Sequence, residues 1–190
     1  MTLAILAGGE GSRLGRPKGE LYVGRMPILE FLLDRFAWGG DTLLVTAPGR
    51  QNPPGWDKFS RQAIDPVGGL GPLRGVLTAV ENCLPDGVII ATVDMPRIGN
   101  EQIAWIATRG KETHGLGLML KRQDIEPFPC FVRPQARQTI ARHLAEGRNS
   151  VRQMSEVGFV TMGPPPQWDP NVWTNVNTPN DWATFLADGA

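Results

Sequence analysis

A short apolar run followed at once by a glycine-rich loop constrains the fold more than any other feature of this chain. Residues 2–6 (TLAIL) are almost entirely apolar, and Gly8 and Gly9 end the run. A run of this length bounded by glycine is typical of a fully buried strand. The glycine-rich loop extends over residues 7–19. Ligands of open α/β sheets bind beyond the carboxyl ends of the strands, where this loop would lie.

Apolar strands and amphipathic helices alternate along the rest of the chain. Helical spacing of apolar residues predicts helices over 27–38, 72–84, 98–108, 134–145 and from residue 178 onward. Short apolar runs predict strands at 42–46, 62–64, 87–93, 116–120, 128–132, 159–162 and 172–174. This alternation favours an α/β fold with a mostly parallel sheet. Because no repeat or linker divides the chain, residues 1–190 are expected to form one domain.

The charge balance and the rare residue types exclude several classes of protein. Lys+Arg and Asp+Glu both number 19, so nucleic acid is not an expected partner. Two cysteines are too few for a disulfide scaffold, and two distant histidines give no zinc-binding spacing. No apolar run approaches the length of a membrane span, and the start lacks the basic segment of a signal peptide. We therefore expect a soluble, cytoplasmic protein without membrane contact.

The glycine-rich loop has the composition of a phosphate-binding site. Glycines allow backbone N–H groups to approach phosphate oxygens, and Arg13, Arg16 and Lys18 add three cations. No Gly-Lys-Ser/Thr follows, so the loop is not a P-loop. Leu14 occupies the third glycine position of the dinucleotide fingerprint, so a dehydrogenase is not favoured either. The alternative is a flexible turn with solvated cations.

Asp94 follows the clearest buried strand, residues 87–93 (GVIIATV). An isolated carboxylate at the edge of such a strand must be paired, solvated or bound to metal. A triphosphate substrate brings Mg²⁺, which takes one or two carboxylates together with phosphates and water. Alternatively, Asp94 is hydrogen-bonded to the following turn. No second carboxylate is obvious close to Asp94 in sequence, and Asp65 is the next candidate.

Four motifs in order along the chain resemble one family. They are LAGGEGSRLGRPK at residues 6–18, GPLRG at 71–75, DMP at 94–96 and NVNTPND at 175–181. This set is similar to the motifs of the molybdenum cofactor guanylyltransferases, within the nucleotidyltransferase superfamily. The resemblance covers nearly the whole chain. It implies a Rossmann-like three-layer sandwich of the nucleotide-diphospho-sugar transferase type.

The resemblance also implies roles for individual residues. The catalytic candidates are Arg13, Lys18 and Asp94, with Asp94 holding Mg²⁺. The acceptor-binding candidates are Arg148, Asn175 and Asn177, the two asparagines facing the same side if they lie on a strand. The implied nucleotide-binding residues are Leu6, Ala7, Gly8, Gly9, Lys18, Asp65, Gly71, Pro72, Leu73 and Asp94.

The implied reaction is Mg²⁺-dependent transfer of GMP from GTP to the phosphate of molybdopterin, with release of pyrophosphate. Other cofactor-biosynthesis proteins are implied as transient partners. Pro17 stands where guanylyltransferases usually have Asp, and residues 46–48 lack an Asn often found there. A cytidylyltransferase of the same cofactor is therefore an alternative, and a sugar-phosphate nucleotidyltransferase is another. A non-catalytic GTP-binding regulator is an alternative of a different class.

Overall fold

The computed structural model describes residues 1–9 and 11–189. Its helices are α1 (Ile28–Phe36), α2 (Pro72–Glu81), α3 (Asn100–Glu112), α4 (Arg137–Ala145) and α5 (Pro179–Ala187). Its strands are β1 (Thr2–Leu6), β2 (Tyr22–Val23), β3 (Met26–Pro27), β4 (Asp41–Thr46), β5 (Arg61–Ile64), β6 (Val88–Thr92), β7 (Gly117–Lys121), β8 (Ile125–Val132) and β9 (Phe159–Met162). Short 3₁₀ helices occur at Lys18–Glu20, Trp56–Lys58, Pro134–Ala136, Val151–Glu156 and Pro170–Trp173.

Seven strands form one twisted sheet in the order β5-β4-β1-β6-β8-β7-β9. All neighbouring pairs are parallel except those of β8, which runs antiparallel to both β6 and β7. Helix α1 packs with α3, and α2 packs with α4. This arrangement confirms the α/β fold with a mostly parallel central sheet. Within the described residues no helix is both long and apolar enough to cross a membrane.

The core is centred on β1 and β6, the two middle strands of the sheet. Leu3, Ala4 and Ile5 of β1 and Ile89 and Ile90 of β6 are fully buried. A strand that is covered on both faces has a continuous apolar sequence instead of an alternating one. For this reason β1 and β6 are the strands that the sequence predicts most clearly. The central strands thereby fix the positions of the loops that follow them.

The ends of two helices follow their local sequence signals. Gly71 precedes α2 with a φ of 71°, a conformation that favours glycine, and Pro72 occupies the first turn. Thr178 caps α5 by accepting the N–H of Asp181, and the Asp181 side chain accepts the N–H of Thr178 in return. The predicted start of the last helix is therefore confirmed.

Two local predictions differ from the structure. Residues 172–174 were expected to form a strand, but a 3₁₀ helix covers Pro170–Trp173, so that prediction is wrong. The physical cause is the start of the segment, where the Asp169 side chain accepts the Asn171 N–H and Pro170 fits the first turn. The hairpin of β2 and β3 was not anticipated, because two-residue strands carry no periodic signal.

Candidate active site

A cleft of about 740 Å³ lies at the carboxyl end of the parallel strands. Its floor and walls come from the ends of β1, β4, β5 and β6 and the loops that follow them. The start of β8 also reaches the cleft, through residues 126–128, because an antiparallel strand presents its first residues where its neighbours present their last. This is the place where an open α/β sheet binds its ligand.

Lys18, Asp94 and Asn177 meet in the cleft although they are far apart in sequence. The Nζ atom of Lys18 donates to Asp94 Oδ2 at 3.1 Å and to Asn177 Oδ1 at 2.7 Å. Both charged side chains are partly buried, with 16% of Lys18 and 29% of Asp94 exposed. The cluster therefore joins the glycine-rich loop, the turn after β6 and the segment before α5 at one point.

The segment before α5 is held beside Asp94 by its backbone. The Val176 N–H donates to the Asp94 carbonyl oxygen at 2.7 Å. Asp181 Oδ2 accepts the backbone N–H groups of Asn177 and Thr178, at 2.9 and 2.8 Å, and these bonds lower the pKa of Asp181. Residues 175–177 do not form a strand, so the expected strand alternation does not position the two asparagines. Asn175 and Asn177 nevertheless both line the cleft.

The glycine-rich loop brings its first residues and its lysine to the cleft. Leu6, Ala7, Gly8, Gly9 and Lys18 all line it. The loop turns sharply at Gly11, whose φ is 59°, and a Cβ added there would lie 2.0 Å from the Arg16 carbonyl oxygen. Only glycine fits this approach. Arg13 and Arg16 are exposed and do not line the cleft, so the structure does not bring them to Lys18 and Asp94.

Asp65 lines the cleft from the loop after β5, the edge strand on the far side of β4 from β1. Burial raises the pKa of this carboxyl group, while Thr78 and Arg74 favour its ionised form. Its Oδ1 atom is buried without a hydrogen-bond partner among the described residues. Buried polar atoms in native structures usually have a partner, so this oxygen has an unfilled capacity to accept a hydrogen bond.

The remaining candidates divide between the cleft and its surroundings. Gly71 and Pro72 line the cleft, whereas Leu73 is fully buried and belongs to the core face of α2. Arg148 is exposed, pairs with Glu146 at 3.4 Å and does not line the cleft. Three arginines that do line the cleft were not among the predicted site residues, although one of them, Arg74, lies within the GPLRG motif. They are Arg50, Arg74 and Arg152.

The side chains available at Asp94 match the way that Mg²⁺ binds beside a triphosphate. Within residues 1–9 and 11–189 no group of three or more His, Cys, Asp or Glu could hold a metal by itself. Asp94 supplies one partly exposed carboxylate in the cleft, with Lys18 on only one of its two oxygens. Mg²⁺ needs no more from the protein when phosphates and water complete its six ligands. Asp94 thus fits a metal that arrives with the nucleotide, and it does not fit a preformed protein cage.

The chain matches known proteins over nearly its whole length. A probable molybdenum cofactor guanylyltransferase of Carboxydothermus hydrogenoformans is 28% identical, over 98% of this chain and 95% of that protein. The molybdenum cofactor guanylyltransferase of Albidiferax ferrireducens is 25% identical, over 94% of this chain and 92% of that protein.

The fold is also found in a solved structure. The crystal structure of molybdopterin-guanine dinucleotide biosynthesis protein A from Archaeoglobus fulgidus has a TM-score of 0.85 and 20% identity, covering 99% of this chain and 98% of that one. At this identity the likeness concerns the fold. The sequence model of the MobA-like NTP transferase domain matches residues 3–158. The chain therefore belongs to the MobA-like NTP transferase domain family, in agreement with the four motifs and the cleft that they line.

Proposed function

We propose that this protein is a molybdenum cofactor guanylyltransferase, which transfers GMP from GTP to the phosphate of molybdopterin in the presence of Mg²⁺. The nucleotidyltransferase class follows from the family to which the chain belongs. The choice of guanine and of the acceptor is supported by the names of the relatives. The observation that carries the proposal is the cluster of Lys18, Asp94 and Asn177, which joins the nucleotide-binding motifs to the predicted acceptor-binding segment.

The strand order supports a placement of the two substrates at opposite ends of the cleft. The triphosphate would lie above β1 and β6, beside the glycine-rich loop, Lys18 and Asp94. The base would extend toward β4 and β5, where Asp65 lies. The acceptor would approach from the side of β8, where residues 126–128, Asn175 and Asn177 line the cleft. The acceptor phosphate and the α-phosphate would then meet at the lysine.

In the reaction, an oxygen of the acceptor phosphate attacks the α-phosphorus of GTP, the bond to the β-phosphate breaks and pyrophosphate leaves. Backbone N–H groups of residues 7–9 and the ammonium of Lys18 would stabilise the negative charge on the phosphates. Asp94 would hold Mg²⁺, which when bound neutralises further phosphate charge. The acceptor phosphate is already ionised near neutral pH, so no strong general base is required. Catalysis is then mainly positioning and charge stabilisation.

The decisive experiment measures binding of GTP, CTP and UTP with Mg²⁺, and pyrophosphate release when molybdopterin is added. We expect GTP to bind most tightly and pyrophosphate to appear only with acceptor. Asp94→Ala should lose about a hundredfold in turnover, whereas the exposed control Asp57→Ala should not. Tighter binding of CTP would instead favour the cytidylyltransferase that Pro17 suggests. GTP binding without pyrophosphate release would favour a regulator.

A further inference from the structure

Arg50 lines the cleft from the loop after β4, on the side where the base would lie in the proposed function, and it has no part in the mechanism above. It follows the end of β4 by four residues, is exposed, and lines the cleft together with Pro48 and Asp65. Its Nη1 atom donates to the Gly9 carbonyl oxygen at 3.3 Å. This contact holds the guanidinium between the loop after β4 and the glycine-rich loop after β1. Because the bond is long and exposed, a ligand can replace it at small cost.

The chemistry of a guanidinium matches one edge of guanine. Arginine has five N–H donors in a planar fork and no acceptor. Guanine presents two adjacent acceptors, O6 and N7, and a bidentate arginine is the commonest specific contact to them. Cytosine carries an amino donor where guanine carries O6, so it would place a donor against the arginine.

Asp65 supplies the complementary chemistry at the same end of the cleft. Guanine carries donors at N1 and at its 2-amino group, and a carboxylate only accepts hydrogen bonds. The buried Oδ1 of Asp65 lacks a partner among the residues that the structure describes. One arginine and one aspartate therefore offer donors and acceptors in the combination that a guanine ring requires.

We infer that Arg50 determines the specificity for guanine by donating from its guanidinium to O6 and N7 of the base. This inference rests on the proposed function, because it requires the nucleotide to occupy the β4–β5 end of the cleft. On binding, the Arg50 guanidinium exchanges the Gly9 carbonyl oxygen for the base. Arg50 contacts substrate without taking part in the transfer step.

The test compares GTP with 7-deaza-GTP, in which a C–H group replaces N7. Binding of these two nucleotides and of CTP, each with Mg²⁺, is measured by calorimetry for the wild type, Arg50→Ala and Arg25→Ala. Arg25 is an exposed arginine that does not line the cleft, so it is the matched control. We expect the wild type and Arg25→Ala to prefer GTP about tenfold, and Arg50→Ala to lose about tenfold in GTP affinity together with that preference. Arg50 is exposed, so its variant should melt at the wild-type temperature.

Each of the next three outcomes would overturn the inference. They are equal binding of GTP and 7-deaza-GTP by the wild type, an undiminished preference in Arg50→Ala, and an equal loss of GTP and CTP affinity in Arg50→Ala. The last result would assign Arg50 to the phosphates instead of the base. Absence of GTP binding in the wild type would overturn the proposed function as well. Normal GTP binding that Arg50→Ala leaves unchanged would overturn only the role of Arg50.

Discussion

Replacement of Lys18 by alanine removes a charge and two hydrogen bonds from the centre of the cleft. The Nζ atom lies 3.1 Å from Asp94 and 2.7 Å from Asn177, and only 16% of the lysine side chain is exposed. Loss of one electrostatic stabiliser in such a site raises the activation barrier by about 3–4 kcal/mol. We therefore expect turnover of Lys18→Ala to fall by a factor of about a hundred to a thousand.

The same substitution should have little effect on stability. Asp94 loses its cationic partner, but 29% of its side chain is exposed, so water screens the charge that remains. A partly exposed ion pair of this kind contributes about 1 kcal/mol or less. The expected decrease in melting temperature is then a few degrees at most for a chain of this size. A large kinetic effect with a small change in stability distinguishes a catalytic lysine from a structural one.

The assay is pyrophosphate release at saturating GTP, molybdopterin and Mg²⁺, together with thermal melting. Lys58→Ala is the matched control, because Lys58 is exposed and does not line the cleft. It should retain wild-type turnover and wild-type melting temperature. If Lys18→Ala turns over within about threefold of the wild type, Lys18 does not stabilise the transition state and the mechanism is refuted.

Three further substitutions test the fold and the charges around the cleft. In Gly110→Ala, the new Cβ would lie 2.3 Å from Cγ of the buried Phe131. The free energy of unfolding of Gly110→Ala, measured in urea, should fall by about 2 kcal/mol, although alanine gains about 1 kcal/mol in helix propensity. Gly39→Ala is the control: no atom lies within 4 Å of its new Cβ, so its free energy of unfolding should change by less than about 0.5 kcal/mol. Two backbone N–H groups lower the pKa of Asp181 in the folded state, so this stabilisation is present above about pH 4 and disappears as the pH falls through the folded-state pKa. Asp181→Asn should therefore lose less stability than the wild type during acid titration, and coincident profiles would contradict this role. Burial raises the pKa of Asp65 in the folded state, so ionisation of this carboxyl group lowers the free energy of unfolding. This loss of stability is fully present above the raised folded-state pKa, and it disappears as the pH falls from there to about 4. We expect Asp65→Asn to melt no lower than the wild type at pH 7 while binding GTP more weakly, and a marked loss of melting temperature would contradict the burial argument.

The sequence is informative where a local pattern has only one structural solution. The buried strand β1, the glycine-rich loop and the Thr178 cap of α5 were all predicted, because run length, glycine placement and capping chemistry act within a few residues. The meeting of Lys18 with Asp94 also follows once β1 and β6 are adjacent, since the carboxyl ends of parallel strands share one edge of the sheet.

The rest depends on information that periodicity does not carry. An apolar run has no direction, so nothing in residues 128–132 reveals that β8 is antiparallel and that its first residues reach the cleft. Leu73 is the opposite case, because helical spacing alone places it on the buried face of α2 although it lies within a ligand-binding motif. Arg50 reaches the cleft from a loop and Arg152 from a short 3₁₀ helix, and only the folded chain brings these two segments to the cleft.

The hydrogen bond from the Val176 N–H to the Asp94 carbonyl oxygen has a consequence for how such a protein can change over time. Both atoms belong to the main chain, so replacement of the neighbouring side chains leaves this bond in place. Asn175 and Asn177 on either side of it line the cleft. Mutation can therefore introduce new side chains on either side of this bond while the segment stays attached. The backbone bond thus allows the side chains that line this part of the cleft to change without loss of the fold.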